Sequence, residues 1–264
     1  NATAAHEAAI KIEPENLMHY FYLCELNPNF LNKSLKTKID KILNNNPNQY
    51  NIVFGNFLLS RYIRKEKNYK EELDHLVKAH KYYFNSKKEK FELGVKYCFK
   101  DVLQIANFAK FESEKKSSNH EVKPIFIIGV PRSGSTLVEK VIGSGKKNIP
   151  MGEEVSVFEN FLNNKILEKK SLNLGNVETF RSELVDIYRN KGLIQENNNF
   201  IFTDKSLNNF FYLTLINKIF PEVKIINCKR TVISSIMSIL QNNLTELAWA
   251  HNLENIFKYF DNYF

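Results

Sequence analysis

The sequence predicts an α/β chain in two parts: an all-α region at residues 1–118 and a parallel-sheet domain at residues 119–264. Apolar residues of the first part recur at helical spacing. The second part alternates short apolar runs, typical of buried strands, with helical patterns. A mostly polar segment at residues 112–123 lacks an apolar period and places the boundary between the two parts.

The composition is that of a folded protein. The chain has 264 residues, of which 43% are hydrophobic and 25% charged, enough to bury a sizeable core and to exclude disorder over most of its length. Its net charge of +8 favours acidic partners. Because the lysines are spread along helical faces and no nucleic-acid motif occurs, we expect no nucleic-acid partner.

Targeting and metal-binding signals are absent from the sequence. No apolar run approaches the roughly 18 residues of a membrane span, and no secretory signal precedes the first helix. The three cysteines, Cys24, Cys98 and Cys228, lie far apart, which favours a reducing compartment and hence the cytoplasm. A lumenal protein without its anchor is the alternative. The six scattered histidines predict no metal site.

The all-α region contains a predicted helical hairpin, with one amphipathic face at residues 50–62, a polar break at residues 65–68, and a second face at residues 69–83. A third helix is predicted over residues 88–111. The opening residues 4–16 resemble the second helix and exit turn of a tetratricopeptide repeat. A generic helical bundle is the alternative.

The α/β part begins with the buried run 125–128 and continues with predicted strands at residues 200–203 and 223–228. A helix is predicted between these last two strands, at residues 208–220, and another after Val232. Strands separated by helices form a parallel sheet, so its binding edge lies beyond the carboxyl ends of the strands.

A glycine loop follows the first strand. Residues 129–136 have the strand–loop–helix arrangement that directs backbone N–H groups toward an anion. Gly129 and Gly134 stand five apart, as in the nucleotide loop G-x-x-x-x-G-K-[ST]. Ser135 occupies the lysine position of that motif, and Arg132 lies inside the loop. A guanidinium can bind phosphate or sulfate oxygens through two parallel hydrogen bonds.

Four segments in order resemble sulfotransferases that use 3′-phosphoadenosine 5′-phosphosulfate (PAPS), in particular the branch with N-terminal tetratricopeptide repeats that is similar to tyrosylprotein sulfotransferases. Residues 124–137 resemble the 5′-phosphosulfate loop, and residues 151–154 the Gly-Glu-Glu element. Residues 203–210 resemble the Asp-Lys-x-Pro-x-Asn-Phe element, with Leu207 in place of the proline. Residues 230–238 resemble the 3′-phosphate element.

The chain departs from the family pattern in two places. Thr231 and Val232 follow Arg230, where the family has Asp-Pro. The chain also stops at Phe264, whereas the family continues with further strands and helices. We therefore expect a P-loop-like sulfotransferase domain that is incomplete at its C-terminal side, preceded by the tetratricopeptide-repeat-like region.

The resemblance implies sulfuryl transfer from PAPS without a metal, with adenosine 3′,5′-bisphosphate leaving. The implied cofactor-binding residues are those of the loop and the 3′-phosphate element: Arg132, Ser133, Gly134, Ser135, Thr136, Arg230 and Ser238.

The implied catalytic residues are Arg132, which neutralises developing charge, Lys205, which stabilises the bridging oxygen, and Glu154, the general base. Glu153 is a structural carboxylate, or the two glutamates exchange roles.

Two other functions remain open from the residues alone. A P-loop kinase or NTPase predicts magnesium dependence and a loop lysine, and Ser135 argues against it. A non-catalytic helical adaptor is the third hypothesis. For a sulfotransferase the acceptor carries a hydroxyl, in protein tyrosine, carbohydrate or a smaller compound, and the helical region would recognise a protein or peptide acceptor.

Overall fold

The computed structural model describes residues 2–112, 121–145, 148–194 and 200–264. In these ranges helices predominate over strands. The α-helices are α1 (Ala2–Ile12), α2 (Leu17–Leu26), α3 (Lys33–Asn45), α4 (Gln49–Lys65), α5 (Tyr69–Ser86), α6 (Lys88–Lys96), α7 (Val102–Phe108), α8 (Ser135–Gly143), α9 (Val157–Lys169), α10 (Val177–Asn190), α11 (Leu213–Ile219), α12 (Val232–Leu240) and α13 (Leu253–Tyr263). The strands are β1 (Ile125–Ile128), β2 (Thr203–Asp204) and β3 (Lys224–Asn227).

The chain divides into two compact units. The helical unit consists of Asn1–Lys96 and Ile236–Tyr259, and the sheet unit of Tyr97–Ser235 and Phe260–Phe264. The predicted boundary between residues 118 and 119 falls outside the described residues and stays a prediction. Among the helices of the described ranges, none is both long enough and apolar enough to cross a bilayer.

In the helical unit, the predicted hairpin is present as α4 and α5, which pack closely along their length. Asparagines begin these helices and two earlier ones. The side chain of Asn48 accepts the N–H of Asn51 at the start of α4, and Asn68 accepts that of Glu71 at the start of α5. Each such cap satisfies an N–H that has no partner inside the helix. The likeness of these helices to tetratricopeptide repeats stays a prediction.

The third predicted helix, over residues 88–111, is interrupted. It consists of α6, a π-helical segment at Tyr97–Asp101, and α7. The wider π turn inserts an extra residue and rotates the faces that follow. The segment also coincides with the division between the two compact units, which begins the sheet unit at Tyr97.

Two buried histidines face each other in the helical unit. The Nδ1 atoms of His80 and His251 are 2.9 Å apart, while their Nε2 atoms lie 2.8 Å and 3.1 Å from the carbonyl oxygens of Leu240 and Leu244. Two neutral rings offer two N–H donors for these three contacts. Burial lowers the pKa of His80 to about 4 and that of His251 to about 3, so both rings are neutral at pH 7.

Aromatic rings enclose this pair. Phe57 meets His80 edge-on at 5.1 Å, and Phe91 stacks on His251 at 5.0 Å. Tyr83 lies 4.8 Å from His251, and the nearby positive charge of Lys87 lowers the pKa of His251 further. In the described part of the chain, no carboxylate raises the pKa of either ring against the effect of burial. A proton added to either ring would therefore lack a counter-charge in an apolar site.

We predict that the helical unit loses stability as the pH falls from about 6.5 toward 4. The unfolded histidines bind protons near their ordinary pKa, whereas the folded ones stay neutral down to the values given above. Each contributes a slope of up to about 1.4 kcal/mol per pH unit. Urea unfolding between pH 7 and 4.5 measures the free energy of unfolding, which should fall less steeply with pH in His251→Phe than in the wild type. The control Phe91→Leu keeps both histidines and should show the wild-type dependence on pH. The same dependence in His251→Phe would contradict the role given to the buried histidines.

In the sheet unit, three parallel strands pair in the order β2-β1-β3. All four residues of β1 are buried, as predicted for a strand covered on both faces. β2 is shorter than the predicted strand at 200–203, because only Thr203 and Asp204 pair with β1 as a ladder. The helix predicted over 208–220 begins as a 3₁₀ turn at Leu207–Tyr212 and becomes α-helical in α11.

The core of the sheet unit lies on one side of β1. Phe126 of β1 joins a cluster of buried residues from α7, α9, α10 and α11, including Phe158, Leu184 and Ile216. The opposite face holds a smaller cluster in which Ile125 and Ile127 contact partly buried residues such as Val138 of α8. Because β1 is fixed on both faces, the loop at its carboxyl end starts from a rigid point.

Candidate functional site

Three strand ends converge on one edge of the sheet. β1 leads into the glycine loop, β2 into Lys205, and β3 toward Arg230. Parallel pairing places their carboxyl ends at the same edge. The N–H of Cys228 bonds to the carbonyl of Ile128 at 2.8 Å, which continues the pairing past the end of β3.

The glycine loop turns sharply before α8. Arg132 and Gly134 both have positive φ, 69° and 96°, and α8 begins at Ser135. The first N–H groups of α8 have no carbonyl partner within the helix, as at every helix start. The hydroxyl of Ser133 is buried and has no hydrogen-bond partner in the described part of the chain. A buried polar atom of this kind is costly unless a ligand satisfies it.

Two arginines meet at the loop. The guanidinium of Arg230 donates a hydrogen bond of 3.1 Å to the backbone carbonyl of Arg132. Both residues are exposed, and Arg132 lies three positions before the start of α8. Two guanidinium groups on neighbouring segments make a positively charged region suited to an anion with several oxygens.

Glu154 and Lys205 form an ion pair. The Nζ of Lys205 lies 2.7 Å from Oε1 of Glu154. Lys205 is only 5% exposed, whereas Glu154 is 58% exposed. The structure thus brings together two residues that are 51 positions apart in sequence and that were predicted as catalytic.

Asp204 holds the turn that carries Lys205. Its fully buried carboxylate accepts hydrogen bonds from the N–H and hydroxyl of Ser206 at 3.0 and 2.7 Å, and from the amide of Asn209 at 2.8 Å. The hydroxyl of Tyr188 donates to its other oxygen at 2.7 Å. Burial and this carboxylate raise the pKa of Tyr188, which keeps the donor protonated.

The turn that carries Glu153 and Glu154 lies against β2. The N–H of Thr203 bonds to the carbonyl of Pro150 and the N–H of Lys205 to the carbonyl of Glu153, both at 3.0 Å. At Gly152, a Cβ would come within 2.1 Å of the carbonyl oxygen of Thr203. Only glycine allows this approach.

Ser238 is the predicted site residue that these contacts do not reach. It lies on α12, in the part of that helix that belongs to the helical unit, whereas the other predicted site residues belong to the sheet unit. Its place in a 3′-phosphate site stays a prediction. The positions of Ser135 and Thr136 at the start of α8 agree with the predicted strand–loop–helix order.

Sequence reasoning missed Glu139. This residue of α8 is 2% exposed and contacts both the turn at Glu153 and the side chain of Thr203. The available signal was one acidic residue, followed by Lys140, in a helical pattern with an apolar face. The apolar pattern of α8 predicted burial correctly at only some positions. Val138 and Ile142 pack inward, whereas Leu137 and Val141 are exposed.

Metal ligands do not gather in the described ranges. Over residues 2–112, 121–145, 148–194 and 200–264, no group of three or more His, Cys, Asp or Glu side chains is placed to hold an ion.

A parallel sheet with a glycine loop, two arginines and a lysine at its strand ends is typical of α/β proteins that bind phosphorylated or sulfated anions. The sequence profile described as the sulfotransferase family matches residues 124–261, more than half of the chain. The chain belongs to the sulfotransferase family.

A protein of Aquifex aeolicus (strain VF5), described as uncharacterized, is 25% identical over 199 residues. The match covers 71% of this chain and 26% of that protein, so the chain spans about a quarter of the length of this relative. No solved structure matches the chain.

We predict that Gly152→Ala destabilises the sheet unit. The added methyl group must push the turn away from β2, at a cost of about 3 kcal/mol, typical of an overpacked site. Gly192→Ala is the matched control, since its Cβ meets open space and only the positive φ costs about 1 kcal/mol. Urea unfolding of the two variants checks this. Equal losses for both would show that the turn is not held tightly against β2.

Proposed function

We propose that the chain transfers the sulfuryl group of PAPS to an acceptor hydroxyl, releasing adenosine 3′,5′-bisphosphate. The observation that carries this proposal is the contact between Lys205 and Glu154, because it brings an acid–base pair to the end of β2, at the same sheet edge where the glycine loop begins. Family membership supports sulfuryl transfer in general, and the residues at this edge support the donor and the roles given below.

The loop residues fit the donor. The unpartnered hydroxyl of Ser133 and the free N–H groups at the start of α8 are donors that a 5′-phosphate would satisfy. The hydroxyls of Ser135 and Thr136 would add to them. Arg132 would bind the phosphosulfate and neutralise the charge that develops on it. PAPS supplies the activated sulfuryl group; the protein supplies binding and charge.

Selectivity for a 3′-phosphate is assigned to Arg230 and Ser238. Arg230 is already oriented by its hydrogen bond to the carbonyl of Arg132, which leaves further N–H groups of the guanidinium for a phosphate. A nucleotide without the 3′-phosphate would leave these donors without a partner, which favours PAPS over ATP.

Glu154 is proposed as the general base and Lys205 as the group that stabilises the leaving oxygen. The more exposed carboxylate of Glu154 can take a proton from an acceptor hydroxyl that reaches the site from solvent. The ammonium of Lys205, held nearly buried by the turn at Asp204, offers a fixed positive charge for the bridging oxygen in an in-line displacement.

The acceptor is proposed to be a hydroxyl compound, with a protein or peptide recognised by the helical unit as one class. A cleft of about 850 Å³ in that unit, lined in part by Glu13, Glu15 and the exposed Tyr50, supports a polymeric acceptor. Within the described residues the three cysteines, all buried, form no disulfide, which supports the proposed cytoplasmic location.

We predict that the chain binds adenosine 3′,5′-bisphosphate in preference to ATP with magnesium. Arg132→Ala should weaken this binding by about 2 kcal/mol, or roughly 30-fold in Kd, the loss typical of a charge-assisted contact. Arg189→Ala, which removes an exposed arginine of α10, is the control for charge and should bind normally. Calorimetry measures all three proteins. Preference for magnesium-ATP would reject the donor assignment and favour a kinase or NTPase.

We predict that Glu154→Gln keeps bisphosphate binding and loses about 10²–10⁴-fold in transfer rate, as expected for a general base. The assay follows ³⁵S from labelled PAPS to a panel of tyrosine peptides, carbohydrates and phenols. Glu153→Gln is the matched control one residue away. If Glu153→Gln loses activity and Glu154→Gln does not, the two glutamates have exchanged roles.

A further inference from the structure

Glu139 connects the three segments of the site. Its Oε1 atom accepts a hydrogen bond of 2.6 Å from the hydroxyl of Thr203 and one of 3.0 Å from the backbone N–H of Glu153. The hydroxyl of Thr203 in turn accepts the N–H of Gly152 at 3.2 Å. One carboxylate oxygen of α8 thus links the helix that follows the glycine loop with β2 and with the turn beside it.

These contacts lie next to the proposed catalytic pair on both sides. Glu153 directly precedes Glu154, and Thr203 lies two residues before Lys205. Glu153 has a positive φ of 50°, a conformation that is uncommon without glycine and that its hydrogen bonds must maintain. The Glu153 turn is thus held by the carboxylate of Glu139 as well as by the backbone hydrogen bond from Lys205.

Glu139 is almost fully buried, at 2% exposure, and forms no salt bridge within the described ranges. A nearly buried carboxylate without a salt bridge is costly to keep in a folded protein. An apolar residue would be cheaper to bury if this position only filled space. What Glu139 adds over an apolar residue is an oxygen that accepts two hydrogen bonds.

We propose that Glu139 is a positioning residue: by holding the Glu153 turn and Thr203 at one oxygen, it sets Glu154 at the distance from Lys205 that sulfuryl transfer requires. The role rests on the proposed function. It does not include contact with either substrate, and it does not require the negative charge of the carboxylate, only an acceptor oxygen at that place.

The test compares Glu139→Ala, which removes the acceptor, with Glu139→Gln, which retains an oxygen acceptor without the charge. Val141→Ala, on the exposed face of the same helix, is the control. Three quantities are measured: hydrogen exchange of the Glu153 amide, release of ³⁵S-sulfate from PAPS to water or acceptor, and the Kd for adenosine 3′,5′-bisphosphate.

For Glu139→Ala we expect faster exchange at Glu153 and a turnover about 10²-fold lower, as for a small misplacement of reacting groups, with the bisphosphate Kd unchanged. Glu139→Gln should return both exchange and turnover to near the wild-type values. If Glu139→Ala does not fold, Thr203→Val serves as the second variant. It conserves volume and removes the hydrogen bond to Glu139 together with the one that Thr203 accepts from Gly152, so it should show the same pattern, and Thr203→Ser should restore it.

Three outcomes would overturn this role. Wild-type turnover in Glu139→Ala would show that the two hydrogen bonds to Glu139 are not needed for catalysis. Glu139→Gln as impaired as Glu139→Ala would show that the charge is what counts. Bisphosphate binding lost in step with turnover would indicate general support of the loop helix. A wild-type chain that neither binds the bisphosphate nor releases sulfate would instead reject the proposed function, and this role with it.

Discussion

The site depends on the hydrogen bonds that Asp204 accepts at the end of β2. A carboxylate with no solvent exposure is stable in a protein only if its oxygens are satisfied, and here the donors come from Ser206, Asn209 and Tyr188. Because two of these donors follow Asp204 closely in sequence, they force the chain to turn there. Lys205, between Asp204 and Ser206, therefore has its backbone direction fixed by its neighbours.

Much of the sheet unit could be predicted from sequence because its signals are local. The run Ile125–Ile128 is apolar at every position, and a strand buried on both faces needs no other signal. The glycine loop and the start of α8 follow from residues within one turn of each other. The hairpin of α4 and α5 likewise follows from helical spacing and a polar break.

The remaining features depend on partners far away in sequence. Glu139 bonds to Thr203, 64 positions later, and nothing near either residue in the sequence indicates this pairing. The periodicity of α8 likewise shows which residues are apolar but does not show which of them are buried by other elements. Leu137, for example, is 69% exposed. The π segment at Tyr97–Asp101 breaks a helix whose apolar spacing predicts continuity. Long-range hydrogen bonds and tertiary packing determine the structure at these positions, and a local sequence pattern contains neither.

In its ion pair with Lys205, the carboxylate of Glu154 contacts the ammonium group as an anionic ligand would. The nearly buried ammonium would be costly alone, so the carboxylate compensates it while no anion is present. Any anion that engages Lys205 then competes with a carboxylate tethered to the same protein, whose effective concentration far exceeds that of a free ion. A weakly held anion would lose this competition, whereas a ligand that also engaged the loop and the arginines would win it. The ion pair would thus select for an anion with several points of attachment.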